Sequence, residues 1–145
     1  MSADINSQFA RATKMVIVVE RTRFFDDRGM NKWDGGPIRV SSLQVEGMTG
    51  DNFVTHIQNI INRDAEGARQ NPVPLQEYHN IGALEYYIRA EGLEFPFLRI
   101  SLFASHGDLS DKAARDGLIA DAIRNGRMEA EFGDIPLTMV NFLEF

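Results

Sequence analysis

The chain has 145 residues, of which 43% are hydrophobic and 25% charged, and its formal net charge is −6. These proportions are ordinary for a globular domain, and a chain of this length buries about two-thirds of the surface of its unfolded state. The absence of cysteine excludes disulfides, thiolate nucleophiles and cysteine metal sites. No apolar run approaches the ~18 residues of a membrane span, and the negative net charge disfavours the nucleic-acid backbone as main partner.

The first elements are predicted from short runs at the start of the chain. Residues 1–13 carry Ile5 and Phe9 at helical spacing, which indicates a short helix or an arm. This start is too polar for a signal peptide, so we expect the protein in the cytoplasm or in a particle assembled there. The run "KMVIVVER" is typical of a buried central strand. "PIRVSSLQVE" predicts a second strand, whose apolar positions change face at Ser41 and Ser42, as they do at a β-bulge.

The segment "DNFVTHIQNIIN" has the clearest helical pattern in the sequence. Asp51 or Asn52 is suited to cap its start. The loop predicted to follow, residues 66–80, contains two prolines and no sustained period. A single apolar stripe follows the helix, formed by Phe53, Val54, Ile57, Ile60 and Ile61.

The second half of the chain predicts a hairpin, a helix and a last strand. "ALEYYIRA" and "EFPFLRISLF" alternate around the turn "AEGL", with Leu84, Tyr86 and Ile88 facing inward on the first strand and Leu98, Ile100 and Leu102 sharing one face of the second. The helix that follows is expected to be capped by Asp108 or Ser110 and to end at Asn125 and Gly126. "PLTMVNFLEF" predicts a final strand that is apolar on both faces. The stripe predicted for this second helix consists of Ala114, Leu118, Ala122 and Ile123.

The order of these elements is β-β-α-β-β-α-β. It predicts a single α+β domain over residues 1–145, built in two layers. Two main helices are expected on one face of a mixed or antiparallel β-sheet of about five strands.

The segment "RTRFFDDRGMNKWDGGP", residues 21–37, predicts a contact surface. It is interpreted as a loop rich in Arg, Phe, Met and Trp, the residue types that are enriched at protein interfaces. The alternative is structural, with the phenylalanines closing the core and Trp33 folding over it. Further contact residues are expected in loop 66–80 and in the two terminal segments. The predicted interface residues are Arg21, Arg23, Phe24, Phe25, Arg28, Met30, Trp33, Tyr78, Phe142 and Phe145.

Two weaker patterns concern catalysis and metal binding. "ASHGDLSD" places His106 and Asp108 between a strand and a helix, where a base and its orienting carboxylate can bind a ligand; the alternative is that Asp108 caps the helix. Three aspartates, Asp26, Asp27 and Asp34, have the oxygen ligands that a hard cation prefers. Arginines and a lysine lie among them and neutralise their charge, so the sequence predicts neither a metal nor a cofactor. The sequence also lacks the standard motifs of nucleotide-binding and serine-hydrolase sites.

These patterns favour a non-enzymatic assembly or interaction subunit that works as a homo-oligomer or in a larger particle, in the style of phage-tail or secretion-type components. Residues 1–40 carry more basic than acidic side chains, whereas residues 41–145 are strongly acidic. One alternative is therefore a monomeric acidic binder or inhibitor, of the immunity or anti-defence type, directed at a basic or nucleic-acid-binding partner. Another is a small hydrolase that uses His106 and Asp108 with Asp26 or Asp27. The expected partners are proteins, with nucleic acid disfavoured.

Overall fold

The computed structural model describes residues 16–26, 32–33, 37–44, 50–68, 81–92, 96, 98–128 and 135–136. The predicted two-layer α+β architecture is confirmed, with two α-helices packed against an antiparallel β-sheet. The predicted N-terminal helix or arm and the predicted last strand from residue 137 onward lie outside the described residues. None of the described helices is long and apolar enough to cross a membrane.

Five strands occupy four positions in the main sheet. β4 lies between β1 and β5, and the opposite edge of β1 is shared by β3, along its first half, and β2, near its end. The predicted central position of "KMVIVVER" is confirmed, because residues 17–21 of β1 pair with β3 on one side and with β4 on the other. The strands are β1 (Val16–Asp26), β2 (Lys32–Trp33), β3 (Ile38–Gln44), β4 (Ile81–Ala90) and β5 (Leu98–Phe103). A separate two-stranded ribbon is formed by β6 (Arg127–Met128) and β7 (Ile135–Pro136).

The hairpin of β4 and β5 follows the predicted alternation. Leu84 pairs with Leu102, and Tyr86 pairs with Ile100, and all four side chains are buried in the core. The turn after β4 contains Gly92 with a φ of 91°, a left-handed conformation that glycine adopts without a steric penalty.

The first helix, α1 (Gly50–Ala68), buries the predicted stripe in full. For the second, α2 (Lys112–Arg124), the predicted stripe is confirmed in part: Ile123 is buried, Leu118 and Ala122 are half-buried and pack against the core, and Ala114 is half-buried. The predicted caps are wrong. Asp111 caps α2 by accepting a hydrogen bond from the amide of Ala114, whereas Asp108 accepts one from the amide of Ser110 within the preceding turn. The face of α2 that is buried consists of Arg115, Ile119, Ala120 and Ile123.

Both helices pack on one face of the sheet, where they form a single core with β1, β4 and β5. The first three residues of the predicted loop 66–80 belong to α1, whose described end is Ala68. The remainder of that loop is outside the described residues.

Two bulges decide which side chains of β1 and β3 face the helices. In β3 the register shifts between Arg39 and Ser41, which confirms the predicted bulge to within a residue. In the pairing of β1 with β4, the register shifts between Arg21 and Arg23, so Thr22 is the additional residue. An additional residue reverses the alternation of the strand after it.

The bulge at Thr22 corrects the interpretation of residues 21–37 as a loop. Residues 21–26 are the second half of β1 and pair with β4, while Lys32 and Trp33 pair back onto Phe25 and Phe24. The mixed polar and apolar composition arises because this half of β1 has one face in the core and the other turned away from the helices.

Candidate functional site

The outer sheet face, defined as the face turned away from both helices, carries the most contact-prone side chains among the described residues. Along β5 every second residue is exposed, whereas the intervening ones are buried under the helices. After the bulge in β1, Arg23 and Phe25 face outward because they pair with Glu85 and Ala83 of β4. The outer sheet face comprises Glu20, Arg23, Phe25, Arg39, Ser42, Ala83, Glu85, Tyr87, Arg89, Arg99, Ser101 and Phe103, and also Val18, which is buried.

An aromatic row crosses three strands at one end of this face. Phe25 pairs with Ala83, and Ala83 pairs with Phe103 on its other side. Since neighbouring strands lie about 4.8 Å apart, the two phenylalanines are separated by roughly 10 Å, with only a methyl group between them. Phe103 is 46% exposed, and Phe25 is half-buried. The row therefore presents apolar side chains that another molecule can contact.

Polar contacts hold most of the remaining side chains of the outer sheet face. The Nε of Arg89 donates to Glu20 at 2.8 Å, and the hydroxyl of Thr22 donates to Glu85 at 2.8 Å. The guanidinium of Arg99 lies 5.0 Å from the centre of the Tyr87 ring, within the range of a cation–π contact. These contacts fix rotamers in advance, which lowers the entropy that binding a partner would cost.

Arg23 differs from these residues. It is exposed and forms no hydrogen bond or ion pair with any of the described residues. Its five N–H donors are suited to bidentate contact with a carboxylate. Of the predicted contact residues, Arg23 and Phe25 lie on the outer sheet face.

The predicted contact residues Arg21 and Phe24 lie instead on the helix-facing side. Phe24 is 4% exposed and belongs to the core. The Nη1 atom of Arg21 donates to both carboxylate oxygens of Asp64 in α1, at 3.3 Å each. The hydroxyl of Tyr86 donates to Asp64 Oδ2 at 2.8 Å. Arg21, Asp64 and Tyr86 thus connect β1, α1 and β4.

Burial has the largest effect on the pKa values of Asp64 and Tyr86. It raises the pKa of Asp64, and the hydrogen bonds from Tyr86 and Arg21, with the charge of Arg21, oppose only part of that increase. Burial also raises the pKa of Tyr86 well above its ordinary value, and the neighbouring Asp64 carboxylate adds to the increase.

A second buried arginine joins the two helices. Arg115 is 2% exposed, and its three nitrogens donate to Asn62 Oδ1 (2.8 Å), the carbonyl oxygen of Leu109 (2.8 Å) and Glu66 Oε1 (3.0 Å). Asn62 in turn donates to Asp116 at 2.6 Å, which extends the connection from α1 to α2. Since all three nitrogens of Arg115 are bonded within the fold, this group is structural.

The weak catalytic candidates do not meet. His106 is exposed in a 3-10 helix, Ala104–His106, and packs edge-on against Phe103 with ring centres 6.0 Å apart. It forms no hydrogen bond with Asp108 or Asp26. Asp108 is exposed in its turn, and Asp26 is 2% exposed at the end of β1. Within the described part of the chain, no three acidic or histidine side chains are grouped to hold a metal ion.

Several predicted site residues cannot be compared with their predicted roles. Trp33 is described only through its backbone pairing with Phe24. The following lie outside the described residues: Asp27, Arg28, Met30, Asp34, Tyr78, Phe142 and Phe145.

Sequence reasoning did not identify Tyr87, Arg99 and Phe103 as parts of one surface. The signal was present in the outward alternate positions of β4 and β5. Recognising it required the pairing of these strands with β1, which the local pattern does not provide.

Comparison with known proteins identifies no relative of this chain. No family model, no curated protein and no solved structure matches it significantly.

Proposed function

We propose that the protein is a non-enzymatic interaction subunit that associates with other protein chains, in the first place a second copy of itself, through the outer sheet face. The observation that supports this most is the aromatic row of Phe25, Ala83 and Phe103, flanked by the exposed Arg23. Aromatic residues and arginine are the types that contribute most binding energy at protein interfaces.

The charge distribution of the face favours a second copy over a strongly charged partner. Four arginines and two glutamates lie on it, so the face carries charges of both signs. In a two-fold dimer each surface meets the same surface of its partner, which requires it to carry complementary groups of its own. Two sheets can pack face to face about 10 Å apart, a distance at which side chains from both interdigitate. The phenylalanines of one copy can then pack against the aromatic row of the other.

The helix-facing side contributes to this function by keeping the sheet rigid. Arg21, Asp64 and Tyr86 tie the sheet to α1, and Arg115 ties α1 to α2. A rigid surface loses less conformational entropy on association than a flexible one.

The experiment is the molecular mass in solution, measured by light scattering behind a sizing column over a dilution series at low and moderate salt. We expect a mass of at least twice 16.3 kDa at the higher concentrations. Because apolar burial is the main contribution, moderate salt is expected to leave the association largely intact. A mass of 16.3 kDa at every concentration and both salts would overturn self-association as the function.

A further inference from the structure

A half-open cleft of about 300 Å³ lies between β3 and the second half of α1. Residues 38–41 of β3 form one wall. The other wall is formed by Ile60, Arg63, Asp64 and Gly67, which recur every three or four residues and therefore share one side of the helix. A strand and a helix thus enclose the cleft from two sides.

The strand that forms the first wall lies at an edge of the sheet. Among the described residues, β3 pairs with β1 only, and the one further hydrogen bond of residues 38–42 is local, from the Ser41 hydroxyl to the Ser42 carbonyl oxygen at 3.4 Å. Alternate residues of an edge strand direct their N–H and C=O groups away from the paired neighbour. These backbone groups can therefore pair with a strand from another chain.

The register of β3 places an apolar side chain at the cleft. Ile38 pairs with Arg21, whose side chain bonds to Asp64 of α1, so the side chain of Ile38 also lies on the helix-facing side. Arg39 pairs with Glu20 and is directed to the outer sheet face instead. Although Ile38 lies on the helix-facing side, it is 41% exposed.

Gly67 leaves room opposite Ile38. A Cβ built on this glycine would meet nothing within 4 Å. Val40 and Ile60 also line the cleft, so most of the side chains around the open space are aliphatic on the strand side and at the start of the helical wall. An aliphatic side chain that enters here removes exposed apolar surface from water.

Charges of both signs border the cleft, and they do not favour a charged occupant. The Asp64 carboxylate already accepts hydrogen bonds from Arg21 and Tyr86, and the exposed Arg63 lies next to it in α1. Burying a charged group costs free energy unless a partner compensates it. An uncharged side chain avoids this cost.

We propose that the edge of β3, residues 38–42, accepts an extended segment of a different protein as an additional strand, and that an aliphatic side chain of this segment occupies the cleft. In this mode of recognition main-chain hydrogen bonds provide affinity, and pockets for alternate side chains provide specificity. The bulge at Val40 interrupts the regular edge, so the added strand is short and its aliphatic side chain determines binding. This surface is separate from the outer sheet face and does not depend on association of the protein with itself.

The experiment is a titration of the full-length protein with a capped hexapeptide in which threonine and leucine alternate, at concentrations at which the peptide is monomeric. Backbone amide signals in NMR spectra report binding, and we expect saturable shifts concentrated in residues 38–42 and 60–67. A capped hexapeptide of alternating threonine and serine should bind at least about tenfold more weakly, because it has no aliphatic group to bury. The absence of saturable shifts in these residues, or equal affinity for the two peptides, would overturn the proposal.

Methylation of single amides in the peptide distinguishes an added strand from a bound side chain alone. Neighbouring residues of a strand direct their amides to opposite edges, so only one of two adjacent N-methyl groups removes a hydrogen bond to β3. We expect the affinities of two peptides methylated at adjacent central residues to differ at least about fivefold. Equal affinities would contradict strand addition, and so would binding of N-acetyl-leucine amide as tight as that of the hexapeptide.

Two pairs of variants locate the site. Gly67→Leu should abolish binding of the threonine–leucine peptide by filling the cleft. Gly117→Leu, at a helical glycine that is equally open but does not line the cleft, should leave the affinity within about twofold. Ile38→Ser should weaken binding at least about fivefold, whereas Phe103→Ser, on the outer sheet face, should not. Equal affinities within either pair would contradict the assignment.

The protein alone provides the last control. The amide signals of residues 60–67 should not change when the protein is diluted without peptide. Concentration-dependent shifts there would assign the edge of β3 to a second copy and overturn the proposal of a different partner. Peptide binding and the mass in solution are separate measurements, so a failure of this proposal is distinguishable from a failure of self-association through the outer sheet face.

Discussion

Arginines occur on both sides of the sheet, and the two sets have different surroundings. On the helix-facing side, Arg21 and Arg115 are at most 6% exposed, and each is bonded to a carboxylate of α1. On the outer sheet face, Arg23 is exposed, and Arg99 is exposed beside Tyr87. A buried arginine destabilises the fold unless its donors are bonded, so the first set is tied to stability. An exposed arginine beside an aromatic ring costs the folded protein little free energy, and it is suited to binding a partner.

The difference between the two sides shows why composition alone is a poor guide to function. Arg21 and Arg23 are two residues apart, and both looked like contact residues in the sequence. The bulge at Thr22 directs the first toward Asp64 and the second away from the helices. The following predictions test whether the helix-facing side determines stability and the outer sheet face determines association.

The largest effect is expected for Arg115→Leu. It leaves the oxygens of Asn62 and Leu109 without their donor inside the fold, and we expect the free energy of unfolding to fall by about 3 kcal/mol. Chemical denaturation measures this change. The control is Arg124→Leu, whose exposed ion pair with Asp51 should contribute less than about 0.5 kcal/mol. Similar losses in both variants would contradict a structural role for the buried arginine.

Close packing at the end of α2 predicts the next effect. A Cβ on Gly126 would lie 2.7 Å from Leu98 Cδ1 and 2.8 Å from the carbonyl oxygen of Ala122, and the carbonyl cannot move without distorting the helix. Gly126→Ala should therefore lower the free energy of unfolding by about 2 kcal/mol. Gly117→Ala, at a helical position with nothing within 4 Å, should instead raise it by about 0.5–1 kcal/mol. The two melting temperatures should move in opposite directions, and a stabilised Gly126→Ala would show that this packing is looser than described.

Two consecutive tyrosines on opposite faces of β4 provide a matched pair. Tyr86→Phe removes the 2.8 Å hydrogen bond to Asp64 and should cost about 1 kcal/mol of unfolding free energy. Tyr87→Phe removes a hydroxyl on the outer sheet face and should change stability by less than about 0.5 kcal/mol. The measurement is the free energy of unfolding of both variants, by urea denaturation under the same conditions. A larger loss for Tyr87→Phe would reverse the assignment of stability to the helix-facing side.

The pH dependence of stability should carry opposite contributions from two aspartates. The folded-state pKa of Asp64 is raised, so the folded protein binds its proton more tightly than the unfolded chain. The contribution of Asp64 to stability therefore falls as pH rises from its unfolded pKa through its folded pKa. For Asp116, burial acts to raise the pKa, but the hydrogen bonds from Lys112 and Asn62, with the charges of Lys112 and Arg115, lower it. The contribution of Asp116 is present above its unfolded pKa and is lost as pH falls through the lowered folded value.

Denaturation across acidic to neutral pH separates these contributions. Relative to the wild-type protein, Asp64→Asn should remove a component that weakens the fold with rising pH. Asp116→Asn should remove a component that stabilises the fold as pH rises. Differences of the same sign in the two variants would contradict the described environments.

Much of the fold could be predicted because its signals are local. The stripe of α1 and the alternation of β4 and β5 appear within single segments, since burial on one face imposes a period of 3.6 or 2 residues. The buried face of α2 was predicted only in part because an arginine, Arg115, occupies a core position. Its burial depends on Asn62 and Glu66 more than forty residues away, which no local pattern records.

The candidate site was predictable only in part. Arg23 and Phe25 belong to a segment whose composition indicated contact, and they lie on the outer sheet face. Phe103 and Arg99 join them only through the pairing of β4 with both neighbours. The direction of each side chain in β1 also depends on the bulge at Thr22, and a shift of one residue reverses every assignment after it.

The most direct test compares the two described large hydrophobic residues that are most exposed. Phe103, 46% exposed, lies on the outer sheet face, and Ile38, 41% exposed, pairs with Arg21 and lies on the helix-facing side of β3. The measurement is the mass by light scattering of Phe103→Ser and Ile38→Ser beside the wild-type protein at equal concentration. We expect the wild-type protein and Ile38→Ser to be associated and Phe103→Ser to have the monomer mass of 16.3 kDa while remaining folded. If folded Phe103→Ser associates as the wild-type protein does, or if Ile38→Ser alone dissociates, the outer sheet face is not the contact surface.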